Sequence, residues 1–167
     1  MVCSVRVVTP SDTPAILALV RRVYAEQGLT LYLEDEPHWL TPGPTFRAQG
    51  GDFWVLDEDG SVRGTVAVAT HPDHAEIKCL YLDLAARGQG WGRRLVEHAV
   101  AFLRHLRHGR IVLWSDTRFV DARAFYRRLG FQETGALRGL DDRDNTIERE
   151  FVMGLPCLSR SSLARLL

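Results

Sequence analysis

The segment from Arg87 to Arg93 contains three glycines and two arginines, a combination suited to binding phosphate groups. It lies between a predicted strand and a predicted helix, and the first backbone N–H groups of a helix have no acceptor within that helix. These groups carry partial positive charge, and glycine lets the main chain approach a ligand closely. Arginines at this end of a helix are unfavourable by roughly 0.3–1 kcal/mol unless an anion compensates them. The segment therefore predicts a binding site for a pyrophosphate.

The same glycines also fit a tight turn that serves packing alone, or a different kind of nucleotide site. An isolated glycine pattern usually marks such a turn. The dinucleotide-binding fingerprint is Gly-x-Gly-x-x-Gly, whereas Gly88, Gly90 and Gly92 are separated by single residues. The phosphate loop of nucleotide hydrolases ends in Gly-Lys-Ser/Thr, which this segment lacks. The position between strand and helix favours a pyrophosphate turn of another type.

The same segment carries a resemblance to a known family. Arg87, Gly90 and Gly92 occupy the fixed positions of Gln/Arg-x-x-Gly-x-Gly/Ala, so the chain resembles the GNAT superfamily of acetyltransferases. The preceding Glu76–Leu82 resembles the fourth strand of that family, and Ala122–Phe131 resembles its second signature. The resemblance is specific from about residue 76 to residue 131, and the order of elements is compatible with it from residue 5 to residue 153.

The resemblance implies an acyltransferase, specifically an N-acetyltransferase, that uses acetyl-CoA as co-substrate and needs no metal. It also implies that the backbone of the fourth strand holds the pantetheine arm at Leu80 and Leu82. The predicted cofactor-binding residues of the turn are Arg87, Gly88, Gln89, Gly90, Trp91, Gly92 and Arg93. Many family members carry Asn where this chain has Phe119, so a side-chain hydrogen bond to the pantetheine arm is missing or comes from the polar residues 115–118.

Acetyl transfer to an amine requires a base for the amine proton and an acid for the departing thiolate. Glu76 is the predicted base, because some family members place a general-base Glu early in this strand. Its second interpretation is a solvated carboxylate paired with Lys78. Tyr126 is the predicted acid, since it shares a helical face with Ala122 and Leu129 and falls in the second signature. Its second interpretation is a core tyrosine.

Two acidic clusters are candidates for the acceptor site. They are Glu34-Asp35-Glu36 in the early loop and Asp141-Asp142-Arg143-Asp144 between the last two strands. Their simplest interpretation is solvated loops. In the family these two regions shape the acceptor site, which predicts substrate binding by Glu34, Asp141 and Asp142 and a preference for a cationic amine. The sequence does not identify that amine.

The elements that position these residues alternate between strand and helix. The predicted strands are Val5–Val8, Phe53–Leu56, Val62–Ala69, Glu76–Leu84, Ile111–Trp114, Phe131–Leu137 and Ile147–Met153. Helical spacing of apolar residues predicts three helices. The first follows Ser11-Asp12, the second runs from Trp91 to Leu106, and the third runs from Ala122 to Leu129 and ends at Gly130. Residues 27–51 are predicted to be loop with at most one helical turn. The fold class is therefore α/β, a mixed and mostly antiparallel sheet flanked by helices, with the splayed parallel pair of strands that the resemblance implies.

Length and composition fit one domain. The 167 residues are 46% hydrophobic and 25% charged, and Lys+Arg and Asp+Glu both number 21. This balance predicts no attraction to nucleic acid or to an anionic membrane. We place an acetyltransferase domain at residues 1–155 and a C-terminal tail at residues 156–167, and expect a monomer or homodimer.

Three cysteines without Cys-x-x-Cys spacing, and no signal or membrane-spanning pattern, predict a reducing cytoplasm. His71 and His74 are too few for a metal site. The predicted reaction is direct transfer of acetyl from acetyl-CoA to an amine without a covalent enzyme intermediate. The alternatives are a non-catalytic acyl-CoA-binding module and an enzyme for another nucleotide-containing ligand.

Overall fold

The computed structural model describes residues 2–155, and the predicted tail, with Cys157, lies outside this part of the chain. The described residues form one seven-stranded sheet. Its strands are β1 (Cys3–Val7), β2 (Asp52–Glu58), β3 (Ser61–Thr70), β4 (Ala75–Leu82), β5 (Arg110–Asp116), β6 (Gln132–Gly139) and β7 (Ile147–Gly154). The helices are α1 (Thr13–Glu26), α2 (Pro42–Ala48), α3 (Trp91–His105) and α4 (Val120–Arg128). Single 3-10 turns span Pro10–Asp12, Pro37–Trp39 and Leu84–Ala86.

The sheet has the order β1-β2-β3-β4-β5-β7-β6, and only β4 and β5 pair in parallel among the described strands. Their pairing is short: it starts at Ala75–Ile111 and ends at Ile77–Leu113, although both strands continue beyond it. The two strands therefore part after their third pair. The predicted α/β class, with a mostly antiparallel sheet and one splayed parallel pair, is confirmed.

Helices cover the two faces of the sheet at different places. One apolar core joins α3 and α4 to the sheet through residues such as Leu95, Leu103 and Phe131. A second core joins α1 and α2 to the opposite face through Ile16 and Phe46. Burying these stripes stabilises the fold by roughly 1.5–3 kcal/mol for each large side chain removed from water. No helix of the described residues is long and apolar enough to cross a membrane.

The predicted strand boundaries lie within two residues of the observed ones, and Gly130 follows α4 with φ +97°, as predicted. The stretch 27–51 is more helical than predicted, because α2 occupies Pro42–Ala48. Its prolines lie in the first turn, where a helix needs no N–H donor, so they begin a helix in a segment that was predicted to be broken by them. Phe46 then anchors α2 in the core with 1% of its surface exposed.

Candidate active site

The glycine-rich turn connects the end of β4 to the start of α3. Asp83 accepts a hydrogen bond from Ala85 N at 3.1 Å and so begins the 3-10 turn. Gly88 and Gly90 have φ of +73° and +83°, and a Cβ at either would meet no atom within 4 Å. Glycine is therefore needed for the backbone conformation and not for packing. The N–H groups of residues 88–93 donate to no acceptor in the described chain, which leaves a row of donors at the N-terminus of α3.

The arginines of the turn are already paired. Arg87 donates to the carbonyl of Leu82 at 3.0 and 3.1 Å and forms an ion pair with Glu26 at 2.7 Å. Arg93 pairs with Glu97 at 3.6 Å. Arg87 thus ties the turn to β4 and α1, and the unpaired backbone N–H groups of the turn are available to an anion.

Before the turn, β4 and β5 part and leave an opening between them. We define this opening as the space between residues 78–82 of β4 and residues 114–116 of β5. Tyr81 pairs with Thr65 of β3, and Asp83 N donates to Arg63 O at 2.7 Å. Alternate residues of a strand direct their peptide groups to opposite edges. Leu80 and Leu82 therefore direct theirs into the opening, where the Leu82 carbonyl already accepts from Arg87 and its N–H does not face β3.

Tyr126 lies on the α3/α4 side of the sheet. Its side chain is 8% exposed, with ring centroids 5.3–6.0 Å from those of Phe125, Phe131 and Phe151. The hydroxyl makes no hydrogen bond in residues 2–155. Every fully buried side-chain polar atom in these residues does have a hydrogen-bond partner. The hydroxyl is therefore not completely buried. Burial raises the pKa of Tyr126 above its usual value, so this phenol stays protonated at neutral pH.

Glu76 lies on the opposite face of the sheet, one residue before the last β4–β5 pair. It is 6% exposed, and its carboxylate has three basic neighbours: Lys78 at 3.3 Å, His71 at 3.3 Å and Arg138 at 3.8 Å. It borders a cavity of about 380 Å³ that also contacts Trp114 and Glu150. The pairing with Lys78 agrees with the second interpretation of Glu76, but the side chain is buried and not solvated.

The two acidic clusters approach each other above the α1/α2 side of the sheet. Arg143 joins them, since it lies 3.8 Å from Asp35 and its guanidinium is 4.6 Å from the centroid of the Tyr32 ring. Glu34 and Asp141 are exposed. Asp142 is half-buried and accepts a hydrogen bond from Thr146 N at 2.8 Å. The structure thus brings both predicted acceptor regions together.

Glu36 belongs to the acidic cluster that the sequence singled out, but Glu34 was the residue of that cluster predicted to bind substrate. Tyr24 donates to the Glu36 carboxylate at 2.9 and 3.0 Å, and the Trp39 indole donates at 3.0 Å. The Tyr24 hydroxyl also lies 3.3 Å from that of Tyr81, on the parted segment of β4. Burial raises the pKa of Glu36, and the charge of Asp142 raises it further. Within the described residues, this carboxylate has no cationic partner. Its neighbours in sequence, Glu34 and Asp35, are exposed and gave no sign that Glu36 is half-buried.

A model of the acetyltransferase (GNAT) family matches residues 14–131. The chain is 30% identical over 134 residues to the uncharacterized N-acetyltransferase YjgM of Escherichia coli (strain K12), and the match covers 76% of this chain and 80% of that protein. This chain belongs to the GNAT family of acetyltransferases. It is an acyltransferase that uses acetyl-CoA.

Other relatives of this GNAT protein share less of its sequence. N-acetylaspartate synthetase of Rattus norvegicus is 28% identical over 134 residues, which cover 74% of this chain but 43% of that protein. A GNAT acetyltransferase structure from Staphylococcus aureus Mu50 superposes with a TM-score of 0.82 at 18% identity, covering 92% of this chain and 99% of that one. Salmonella typhimurium yncA, solved with its cofactor acetyl-CoA, gives 0.71 at 16% identity, covering 93% and 95%. These structural likenesses show the fold.

Phe119, where many GNAT members carry Asn, packs on the α1/α2 side of the sheet. Its ring lies edge-on to Tyr81 with centroids 6.4 Å apart. Of the polar residues suggested as substitutes, Asp116 and Arg118 pair with each other at 2.7 Å, and Arg118 also donates to Thr146 at 2.7 Å. They brace the start of α4, which leaves Ser115 and Thr117 as candidates for the missing hydrogen bond.

The two histidines before β4 stack on each other. The rings of His71 and His74 are 4.5 Å apart and nearly parallel. In residues 2–155 no group of three or more His, Cys, Asp or Glu side chains is placed to hold a metal ion.

Proposed function

We propose that this GNAT protein transfers an acetyl group directly from acetyl-CoA to an amine within the opening between β4 and β5. The parting of these strands after Ile77–Leu113 carries the proposal. It creates a passage through the sheet, with the phosphate-binding turn at one end of β4. Candidate acid and base groups, Tyr126 and Glu76, lie on opposite faces of that sheet.

Acetyl-CoA would bind along β4. Its pyrophosphate accepts hydrogen bonds from the free N–H groups of Gly88 to Arg93, since those donors and the positive end of α3 suit an anion. Its pantetheine arm lies beside Leu80 and Leu82, whose peptide groups are directed into the opening. The thioester then lies in the opening, between the two faces.

The reaction forms a C–N bond and breaks the C–S bond. The neutral amine attacks the thioester carbonyl carbon, and its proton passes to Glu76, directly or through water. Tyr126 donates a hydrogen bond to the departing sulfur and supplies the proton that completes the CoA thiol. The products are an acetylated amine and CoA, after which Glu76 releases its proton to solvent and Tyr126 takes one up from solvent.

The acceptor is proposed to be cationic. Glu36 and Asp142 form no ion pair in the described chain, and Glu34 and Asp141 are exposed on the same two loops. Nearby His38 does not compensate them at neutral pH, because burial lowers its pKa to about 4.

Glu36→Gln tests this preference with a linear diamine and the monoamine of equal length. The kcat/KM for the diamine, divided by that for the monoamine, should therefore fall in Glu36→Gln. The control Glu97→Gln, on α3, should leave this ratio unchanged. A parent chain without preference for the diamine would contradict this proposal.

Thiol release tests the function itself. Mixing the protein with acetyl-CoA and a panel of diamines, amino acids and peptides should release CoA only when a suitable amine is present. Each acetylated product should appear in equal amount to the thiol. A chain that binds CoA but releases no thiol with any amine would be an acyl-CoA-binding module, contrary to the proposal.

A further inference from the structure

The strand β4 bends at Cys79, where the chain departs from regular pairing. Between the pairs Ala67–Lys78 and Thr65–Tyr81, β3 contributes one residue and β4 contributes two. Cys79 has φ +54°, a conformation that costs a non-glycine residue about 1–2 kcal/mol. The irregularity is therefore a β-bulge held against backbone strain.

A side chain from the neighbouring strand holds this bulge. The hydroxyl of Thr65 donates to the carbonyl oxygen of Cys79 at 2.7 Å, and Thr65 is fully buried. Its neighbours in β3, from Val66 to Ala69, are buried apolar residues. Valine has nearly the same shape as threonine, so only the hydroxyl distinguishes this position from its apolar neighbours.

The bulge coincides with the parting of the two parallel strands. The last β4–β5 pair, Ile77–Leu113, lies two residues before Cys79. Past the bulge, Leu80 and Leu82 direct their peptide groups into the opening. Because the bulge sets the direction of the chain that follows it, the hydrogen bond at Cys79 controls where these groups lie.

We propose that Thr65 is a positioning residue for acetyl-CoA, acting through the carbonyl of Cys79 on the peptide groups of Leu80 and Leu82. The inference rests on the proposed placement of the pantetheine arm along β4. Thr65 itself touches no reacting atom. Its hydroxyl would instead determine how well β4 fits the pantetheine arm, and not how the turn binds phosphate.

Thr65→Val tests this inference by calorimetry with two probes. Affinity for CoA should fall about tenfold, because one buried hydrogen bond that orders the bulge is lost. Affinity for the adenosine bisphosphate half of CoA, which lacks the pantetheine arm, should stay within about twofold. The KM for acetyl-CoA should rise in parallel with the dissociation constant of CoA. Thr65→Ser keeps the hydroxyl and should restore both constants to the parent values.

Thr70→Val is the matched control. The Thr70 hydroxyl also donates to a backbone carbonyl, that of Gln49 at 3.0 Å, from the other end of β3. Thr70→Val should leave the affinities for CoA and for adenosine bisphosphate unchanged. Equal losses for both probes in Thr65→Val, unchanged CoA affinity, or no rescue by serine would overturn the inference. A parent chain that binds no CoA would overturn the proposed function, and this inference with it.

Discussion

The Tyr126 ring packs among three phenylalanines, while its hydroxyl has no partner in the described chain. Helical spacing with Ala122 and Leu129 predicted the direction of this side chain from sequence, because that pattern is local. The accessibility of the hydroxyl depends on residues distant in sequence and could not be predicted. The same holds for Glu36, whose burial depends on Tyr24 and Trp39.

Tyr126→Phe removes the hydroxyl and keeps the ring. If the phenol protonates the departing thiolate, kcat should fall by roughly 10²–10⁴, the usual size of a general-acid contribution. Affinity for CoA and the melting temperature should be unchanged, because the hydroxyl has no protein partner to lose. Steady-state rates with calorimetry of CoA check this. Turnover within a fewfold of the parent would leave the proton to a bound water.

Glu76→Gln should lower kcat/KM most near neutral pH. The loss should shrink as pH rises, because more of the amine is then already deprotonated. A pH series of initial rates measures this. Glu150→Gln is the control: Glu150 borders the same cavity and lies 3.7 Å from Arg110, so its removal should leave the shape of the pH profile unchanged. A small loss for Glu76→Gln that is equal at every pH would indicate that Glu76 positions Lys78.

At the scale of elements, the turn before α3 and the bulge in β4 are proposed to act on two parts of one cofactor, its pyrophosphate and its pantetheine arm. The turn was predictable, because glycines and arginines between a strand and a helix leave a local pattern. The bulge was not, since cysteine has no preference for positive φ and the bond from Thr65 joins residues 14 apart in sequence. Helix α2 was also missed, because its prolines resemble those of a loop.

Gly90→Val should weaken CoA binding by the turn. The φ of +83° disfavours valine, and its side chain would project into the space that the phosphates need. Gly60→Val is the matched control, since Gly60 has φ +85° and equally open surroundings in the turn between β2 and β3. Both variants should lose similar stability, and only Gly90→Val should lose CoA affinity by calorimetry. Equal CoA affinity in the two folded variants would remove the turn from the cofactor site.

At the scale of the whole molecule, opposite charges balance at 21 each, and most half-buried carboxylates have a basic partner. Composition predicted this neutrality but not that Glu36 and Asp142, which form no ion pair within residues 2–155, lie close enough for their charges to interact. The order of elements and the sheet class followed from the sequence, because periodicity and turn residues recur along the whole chain. The site between β4 and β5 required the resemblance, since its opening forms between distant segments.

Stability should depend on pH through Asp12, which anchors the start of α1 to β1. Hydrogen bonds from Arg6 at 2.8 and 2.9 Å lower the pKa of Asp12 to about 2. A carboxyl whose folded pKa lies below its unfolded value of about 3.9 stabilises the fold fully above that value and loses this contribution as pH falls towards 2. Asp12→Asn should therefore lower the melting temperature by more at pH 6 than at pH 3, because the Asp12 carboxylate contributes less to stability at the lower pH. A constant difference would contradict this linkage.

Direct transfer is tested most directly by incubating the protein with acetyl-CoA before any amine is added. Direct attack predicts an unchanged intact protein mass and no burst of thiol, followed by thiol release and equal acetylated product once the amine is added. A rapid, stoichiometric gain of one acetyl group by the protein, with a matching burst of CoA before the amine, would contradict direct attack and indicate a covalent acetyl-enzyme.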